Sequence, residues 1–168
     1  MQVLAGRFKG QRIRTSKNLN YRPTKSIVRK SIFDTLRPFS FENVLDLFSG
    51  SGIFGFEAGS RGANTVTFVD NNKKIQKMLK INAEILQGPS YNFYHLDALK
   101  FINRKKKYDL IYADPPYGKF DLQNITTIIL KRLELKGLLI LECAKSQEPF
   151  MDAMLKDYGQ TRIMMWNK

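Results

Sequence analysis

Residues 43–70 read NVLDLFSGSGIFGFEAGSRGANTVTFVD. The apolar run from Asn43 to Leu47 is a strand with Asp46 near its end, and Phe48-Ser49-Gly50-Ser51-Gly52 is a glycine turn that opens a helix. Glycines at 50 and 52 let the backbone turn sharply and approach a ligand with no Cβ in the way, and the helix N-terminus faces that ligand. A second strand, Asn64 to Val69, ends at Asp70, eighteen residues after Gly52. Strand, glycine turn, helix, strand and acid together begin a parallel α/β sheet.

Outward from this stretch the alternation continues. Strands are predicted near 43–47, 64–69, 91–94, 108–113 and 137–142, with helices near 52–60, 72–86, 97–103 and 122–132 between them. That pattern calls for a mostly parallel sheet covered by helices on both faces. Upstream, Gln2 to Ala5 and Gln11 to Arg14 read as the arms of a small hairpin around Gly6 to Gly10. A helix follows at about 25–36, with Thr24 as N-cap, Ile27, Val28, Ile32, Phe33 and Leu36 on its apolar side, and Pro38 as its stop. Downstream, Phe150, Met151, Met154, Leu155 and Tyr158 fit a helical face, and a strand paired with Thr161 to Trp166 is the second choice.

A chain of 168 residues fits one domain, 1–168, with a full core. No apolar run is long enough to span a bilayer, and the N-terminal residues lack the apolar stretch of a signal peptide, so a cytoplasmic protein with no membrane partner is expected. The lone Cys143 and lone His95 leave no His/Cys cluster for zinc, and no metal is expected. Cys143 reads as a core residue and His95 as a loop or strand-end residue.

The net charge is +13, and residues 1–37 carry +9 of it, with ten basic side chains against the single acid Asp34. A basic stripe at one end of a chain is the electrostatic footprint of a polyanion ligand, usually nucleic acid. The clusters Lys73-Lys74 with Lys77 and Lys80, and Arg104-Lys105-Lys106-Lys107, read as solvated helix faces or ends and are assigned no role.

Gly50, Gly52 and Gly55 satisfy G-x-G-x-x-G, and with Asp70 positioned to accept ribose hydroxyls this fits a nicotinamide dinucleotide. S-adenosylmethionine (SAM) fits as well, because it needs the same ribose acid but has no pyrophosphate. Asp46 favours SAM, since a carboxylate there suits a cationic ammonium and opposes a diphosphate. Asp97, after the third strand, would face the adenine, with Ala98 supplying a backbone donor.

Asp114-Pro115-Pro116-Tyr117 leaves the carboxyl end of the strand Tyr108 to Ala113, where open α/β sheets put their chemistry. A carboxylate, two prolines that remove N–H donors and an aromatic ring make a stiff, acceptor-rich pocket with a stacking face. It suits an exocyclic amine of a nucleobase. Asp114 and the Pro115 carbonyl would hold the amine protons, and Tyr117 would stack on the base. Such a base must be flipped, bulged or single-stranded.

Asp46 to Gly52, Asp70 and Asp114 to Tyr117 together resemble a class I SAM-dependent methyltransferase. Tyr21-Arg22-Pro23-Thr24 with Val28-Arg29-Lys30-Ser31-Ile32-Phe33, the run Phe56 to Ala63, and Ala5-Gly6-Arg7-Phe8-Lys9-Gly10 further resemble the RsmD family, bacterial enzymes that methylate the 2-amino group of a guanine in 16S rRNA. The resemblance implies a Rossmann-like, seven-stranded sheet in the order 3-2-1-4-5-7-6 that closes on an antiparallel pair. It implies a SAM-binding catalytic core at 41–168 and a basic RNA-binding hairpin and helix at 1–37. SAM would be held by Asp46, Phe48, Ser49, Gly50, Ser51, Gly52, Asp70, Asp97 and Ala98, and catalysis carried by Asp114, Pro115, Pro116 and Tyr117. RNA would be held by Arg7, Lys9, Arg12, Arg14, Arg22, Arg29 and Lys30. The implied partner is 16S rRNA or a small-subunit ribonucleoprotein particle, met by a monomer. A DNA adenine amino-methyltransferase and a non-catalytic RNA-binding protein are the alternatives.

Overall fold

The structure, a computed structural model, describes residues 1–15 and 26–168. The elements run α1 (Ser26–Thr35), β1 (Asn43–Leu47), α2 (Ile53–Ser60), β2 (Thr65–Asp70), α3 (Lys73–Ile85), β3 (Ser90–His95), α4 (Ala98–Ile102), β4 (Tyr108–Ala113), α5 (Leu122–Leu130), β5 (Leu133–Ala144), β6 (Met154–Tyr158) and β7 (Thr161–Asn167). Short polar side chains start three of the helices: those of Asn72, Asp97 and Asp121 accept hydrogen bonds from Lys74 N, Lys100 N and Asn124 N.

The seven strands are ordered β3-β2-β1-β4-β5-β7-β6. β3, β2, β1, β4 and β5 pair in parallel, while β7 runs antiparallel to both β5 and β6. Alternate strand residues feed two cores. Val44, Leu110, Tyr112 and Ile140 join the side chains of α1, α2 and α3 on one face, including Phe33, Phe54 and Leu79. Leu45, Leu47, Ile111 and Leu139 join those of α4 and α5 on the other, including Phe101, Ile125 and Ile129. The strand order reverses between β1 and β4, which opens a crevice at their carboxyl ends.

The helical reading of 150–158 is wrong. Met154 to Tyr158 form β6, paired with Met165 to Thr161 across a turn in which Gly159 has φ of +60°. Met154 and Leu155 are 48% and 43% exposed, so they do not form a buried helical stripe. Just upstream, Phe150 stacks on Trp166 and the Trp166 indole N–H donates to Met151 O at 2.9 Å. β5 also starts four residues earlier than expected, with the β4–β5 register shifting between Tyr108 and Leu110.

The N-terminal arms form one antiparallel bridge, Gln2 with Arg12, and no longer strand. Across the arms Val3 N donates to Gln11 O, Gly10 N to Val3 O and Ile13 N to Met1 O, each at 3.0 Å, while Leu4 N and Ala5 N donate to the Glu57 carboxylate on α2, at 2.7 and 3.0 Å. The candidate N-cap Thr24 lies outside the described residues.

Candidate functional site

A cavity of about 560 Å³ opens at the carboxyl edge of the sheet. The loop after β1, the ends of β2 and β3 and the loop after β4 converge on it. Its wall brings together Asp46, Phe48, Ser49, Gly50, Ser51, Asp70, Asp97, Ala98 and all of Asp114 to Tyr117. Four carboxyl groups therefore face one space, with Lys119 as the only basic residue in the wall among the described residues. In a protein of net charge +13 this wall is locally rich in acids and poor in bases.

Asp46 is 1% exposed and its Oδ2 accepts from Gly55 N at 3.0 Å. Burial pushes its carboxyl up to about 8; the Gly55 bond opposes the shift and the nearby Asp70 adds to it. Asp70 closes the glycine turn, accepting from Gly50 N at 3.0 Å and from Asn72 N at 2.8 Å. Burial raises its pKa as well, against those two bonds and the charge of His95. The Ser49 hydroxyl donates to Asp46 O at 2.6 Å and accepts from Val69 N at 2.8 Å, so it staples the turn to β2. Asp97 caps α4 through Oδ1. Asp114 is partly buried, Pro115 buried, Pro116 exposed and Tyr117 40% exposed.

Gly52 does not line the cavity. A Cβ there would lie 2.3 Å from Leu79 Cδ2, and one on Gly55 would lie 2.4 Å from Phe68 Cε1. Both glycines serve the packing of α2 on the sheet and α3, a correction to the ligand-approach reading of Gly52.

Several wall residues carry no sequence signal of their own. Phe54 stacks on Tyr112 at 3.9 Å, and the Tyr112 hydroxyl donates to the buried Glu142 at 2.6 Å. Phe48 meets Phe120 edge-on at 5.2 Å, joining the loop after β1 to the loop after β4. The ring contacts arise only when β1 and β4 lie side by side, and the Tyr112–Glu142 bond only when β4 lies beside β5.

The basic residues divide. Arg7, Lys9, Arg12 and Arg14 are exposed. Lys30 is exposed and bonds to Asp34 at 2.6 Å. Arg22 lies outside the described residues. Arg29 is 2% exposed, donates to Gln2 O at 2.8 Å and sits 3.7 Å from Glu57 Oε2. It is a buried strut between α1, α2 and the N-terminal residues, and cannot reach a phosphate at the surface.

Glu57 also accepts from Arg61 Nε at 2.8 Å. The Ser60 hydroxyl accepts from Phe8 N at 2.9 Å, and Ser60 O accepts from Arg7 N at 2.8 Å. The run Phe56 to Ala63 is thus the cradle for Leu4 to Phe8. Glu57, the one charged residue of the otherwise apolar α2, was the available signal.

The cavity fits SAM. The acids suit a ligand bearing sulfonium and ammonium charge and oppose a diphosphate. Among the described residues no group of three or more His, Cys, Asp or Glu is arranged to hold a metal, and no helix is long and apolar enough to cross a membrane.

The family model described as Conserved hypothetical protein 95 matches residues 1–167. YlbH of Bacillus subtilis (strain 168) is 30% identical over 182 residues, covering 100% of this chain and 99% of that protein. Ribosomal RNA small subunit methyltransferase D of Haemophilus influenzae is 33% identical over 123 residues, covering 70% of this chain and 64% of the relative, a little under two thirds of its length. The solved structure of yhhF from Escherichia coli has a TM-score of 0.87 at 23% identity, covering 100% of this chain and 97% of that one. The last shares the fold.

Proposed function

Because this chain belongs to the family described as Conserved hypothetical protein 95, the RsmD family its motifs resemble, we propose that it is a SAM-dependent methyltransferase acting on the exocyclic 2-amino group of a guanine in 16S rRNA. The observation that carries this reading is the acidic cavity, walled on one side by Asp46, Gly50 and Asp70 and on the other by Asp114 to Tyr117.

SAM supplies an activated methyl on a sulfonium. The residues of the chain have to position what meets it. Asp46 holds the ammonium, Asp70 the ribose hydroxyls, and Asp97 with the Ala98 N–H the adenine. An exocyclic base amine is a weak nucleophile because its lone pair is delocalised into the ring. The Asp114 carboxylate and the Pro115 carbonyl accept hydrogen bonds from its two N–H groups, which turns the lone pair toward the methyl and stabilises the positive charge that develops on nitrogen. Asp114 then takes the departing proton or passes it to water. Tyr117 stacks on the extruded base. The exposed Arg7, Lys9, Arg12 and Arg14, with Lys30, provide phosphate contacts, and the partner is 16S rRNA or the small-subunit particle met by a monomer.

The test is mass-spectrometric mapping of ribosomal RNA from cells lacking the protein, followed by incubation of that RNA or its particles with protein and SAM. One N2-methylguanosine is expected to be missing and then restored. Methylation of adenine in duplex DNA instead, or no SAM binding at millimolar ligand, overturns the reading.

Asp46 gives the cofactor affinity a pH signature. In the free protein its carboxyl titrates at about 8, and an α-amino group ordinarily titrates at about 7.7–8.0. The bound carboxylate–ammonium pair carries one proton. At pH 6 the separated partners carry two, so binding releases a proton and affinity falls by up to about tenfold per pH unit below 8. Above 9 they carry none, and binding takes one up. Calorimetry in buffers of different ionisation enthalpy should show release turning to uptake near pH 8, and Asp46→Asn should flatten the acid limb. Constant affinity from pH 6 to 8 excludes the Asp46 role.

A further inference from the structure

The cations at the opposite edge of the sheet form a second concentrated surface. Arg104 to Lys107 link α4 to β4, and Lys131 and Arg132 link α5 to β5. The two links touch: Tyr108 N donates to Arg132 O at 2.9 Å, and Arg132 Nε donates to Ile102 O at 2.6 Å. Lys136 and Lys168 join the same edge, since Lys136 N donates to Lys168 O at 2.8 Å and Lys168 Nζ donates to Leu133 O at 3.0 Å. All are exposed except the half-buried Arg132. Nearby acid side chains are fewer: Glu42 and Glu134 are exposed, and the Asp109 carboxylate is taken up by Glu42 N and Asn43 N at 3.0 and 2.8 Å.

None of these cations makes an ion pair among the described residues, whereas Lys30, Arg37 and Arg162 do so elsewhere on the surface. The C-terminal dipoles of α4 and α5 account for a cation or so at each helix end, not for four in succession. Two are held in place by rings: the Arg104 guanidinium lies 5.1 Å from the Tyr94 centroid, and Lys106 Nζ lies 5.3 Å from that of Tyr108. A dense, unpaired and partly pre-positioned set of positive charges repels itself and is relieved by a polyanion.

We infer that this edge is a second RNA-binding surface, one that grips the phosphate backbone of a different segment from the one entering the cavity. The inference rests on the ribosomal RNA reading above. β4 has six residues, so at about 3.3 Å per residue its length alone separates this edge from the Asp114 loop by roughly 20 Å. A short stem that fills the cavity does not span that distance, but a folded RNA or a particle does.

The test compares wild-type protein with the quadruple variant Lys105→Gln, Lys107→Gln, Lys131→Gln and Lys136→Gln, all exposed positions. The probe is small-subunit particles lacking the modification, across a salt series. The variant should lose at least about tenfold in affinity near 0.1 M salt, with the slope of log K against log salt shallower by about 3, from some 0.7–0.9 per lost contact. The loss should appear in KM for particles and not in SAM affinity, and the matched Lys→Arg variant should retain wild-type binding. If the quadruple variant does not melt cooperatively, single Lys→Gln variants, each lowering the slope by a little under one, replace it. Wild-type affinity and slope in the Gln variants overturn the second surface alone. A wild-type protein that neither binds nor methylates the particles overturns the RNA reading and this surface with it.

Discussion

Asp114→Ala is expected to lower methyl transfer to the RNA by about 10²–10⁴-fold while SAM affinity stays near the wild-type value. The asymmetry follows from where Asp114 stands. It lies on the wall of the cavity formed by the loop after β4, apart from the turn at Gly50 and the Asp70 carboxylate. Removing its side chain takes away an acceptor for the amine and a destination for its proton, and leaves the cofactor wall intact. Asp114→Asn separates the two roles. A side-chain carbonyl still accepts a hydrogen bond but takes no proton at neutral pH. Recovery of most of the rate in the Asn variant would assign the proton to water, and failure of both variants would assign it to the carboxylate. Single-turnover kinetics on SAM-saturated enzyme measures the step directly, and wild-type rates in Asp114→Ala would remove this loop from the chemistry.

Glu57→Ala should be the most damaging change to the fold, lowering stability by about 3–5 kcal/mol. Glu57 is fully buried and answers to four partners: Leu4 N, Ala5 N, Arg61 Nε and, more distantly, Arg29 Nε. Alanine leaves the buried Arg29 without its counter-charge, and burial already holds that guanidinium below its usual pKa against the pull of Glu57. At about 2–4 °C per kcal/mol for a domain of this size, the midpoint should drop by roughly 6–20 °C. Glu57→Gln keeps the shape and one acceptor and should fall between. Urea denaturation measures the difference, and limited proteolysis should cut residues 1–15 far faster in the Ala variant. A loss under about 1 kcal/mol would show that the cradle is held by Ser60 and apolar packing instead.

The central β-α-β stretch was legible because it is local: an apolar strand, a glycine turn and an acid at the end of the next strand are adjacent in sequence and remain adjacent in space. The same holds for Asp114 to Tyr117. Periodicity failed where the deciding contact was distant. Phe150 to Tyr158 carry apolar residues at spacings that suit a helix, and only pairing with Thr161 to Met165 makes Met154 to Tyr158 a strand. The start of β5 was hidden by Glu134, Lys136 and Gly137, which look like a loop until the strand pairs with β4. In the site, Phe120 and Tyr112 acquire meaning only once the two loops meet. Arg29 misled for the converse reason: in a basic stretch it looks like its neighbours, and nothing local tells that its partner is Glu57, twenty-eight residues away.

The cradle on α2 also sets a timetable for synthesis. Residues 4–8 find their partners at Glu57 and Ser60, and Arg14 exchanges two hydrogen bonds with the Asn82 side chain, 68 positions later. At about 5–20 residues per second, some 3–14 s pass between the translation of Arg14 and that of Asn82. Glu57 and Ser60 are made within that interval, so residues 4–8 meet their partners before Arg14 meets Asn82. The docking of residues 1–15 is therefore staged, first on α2 and then on α3.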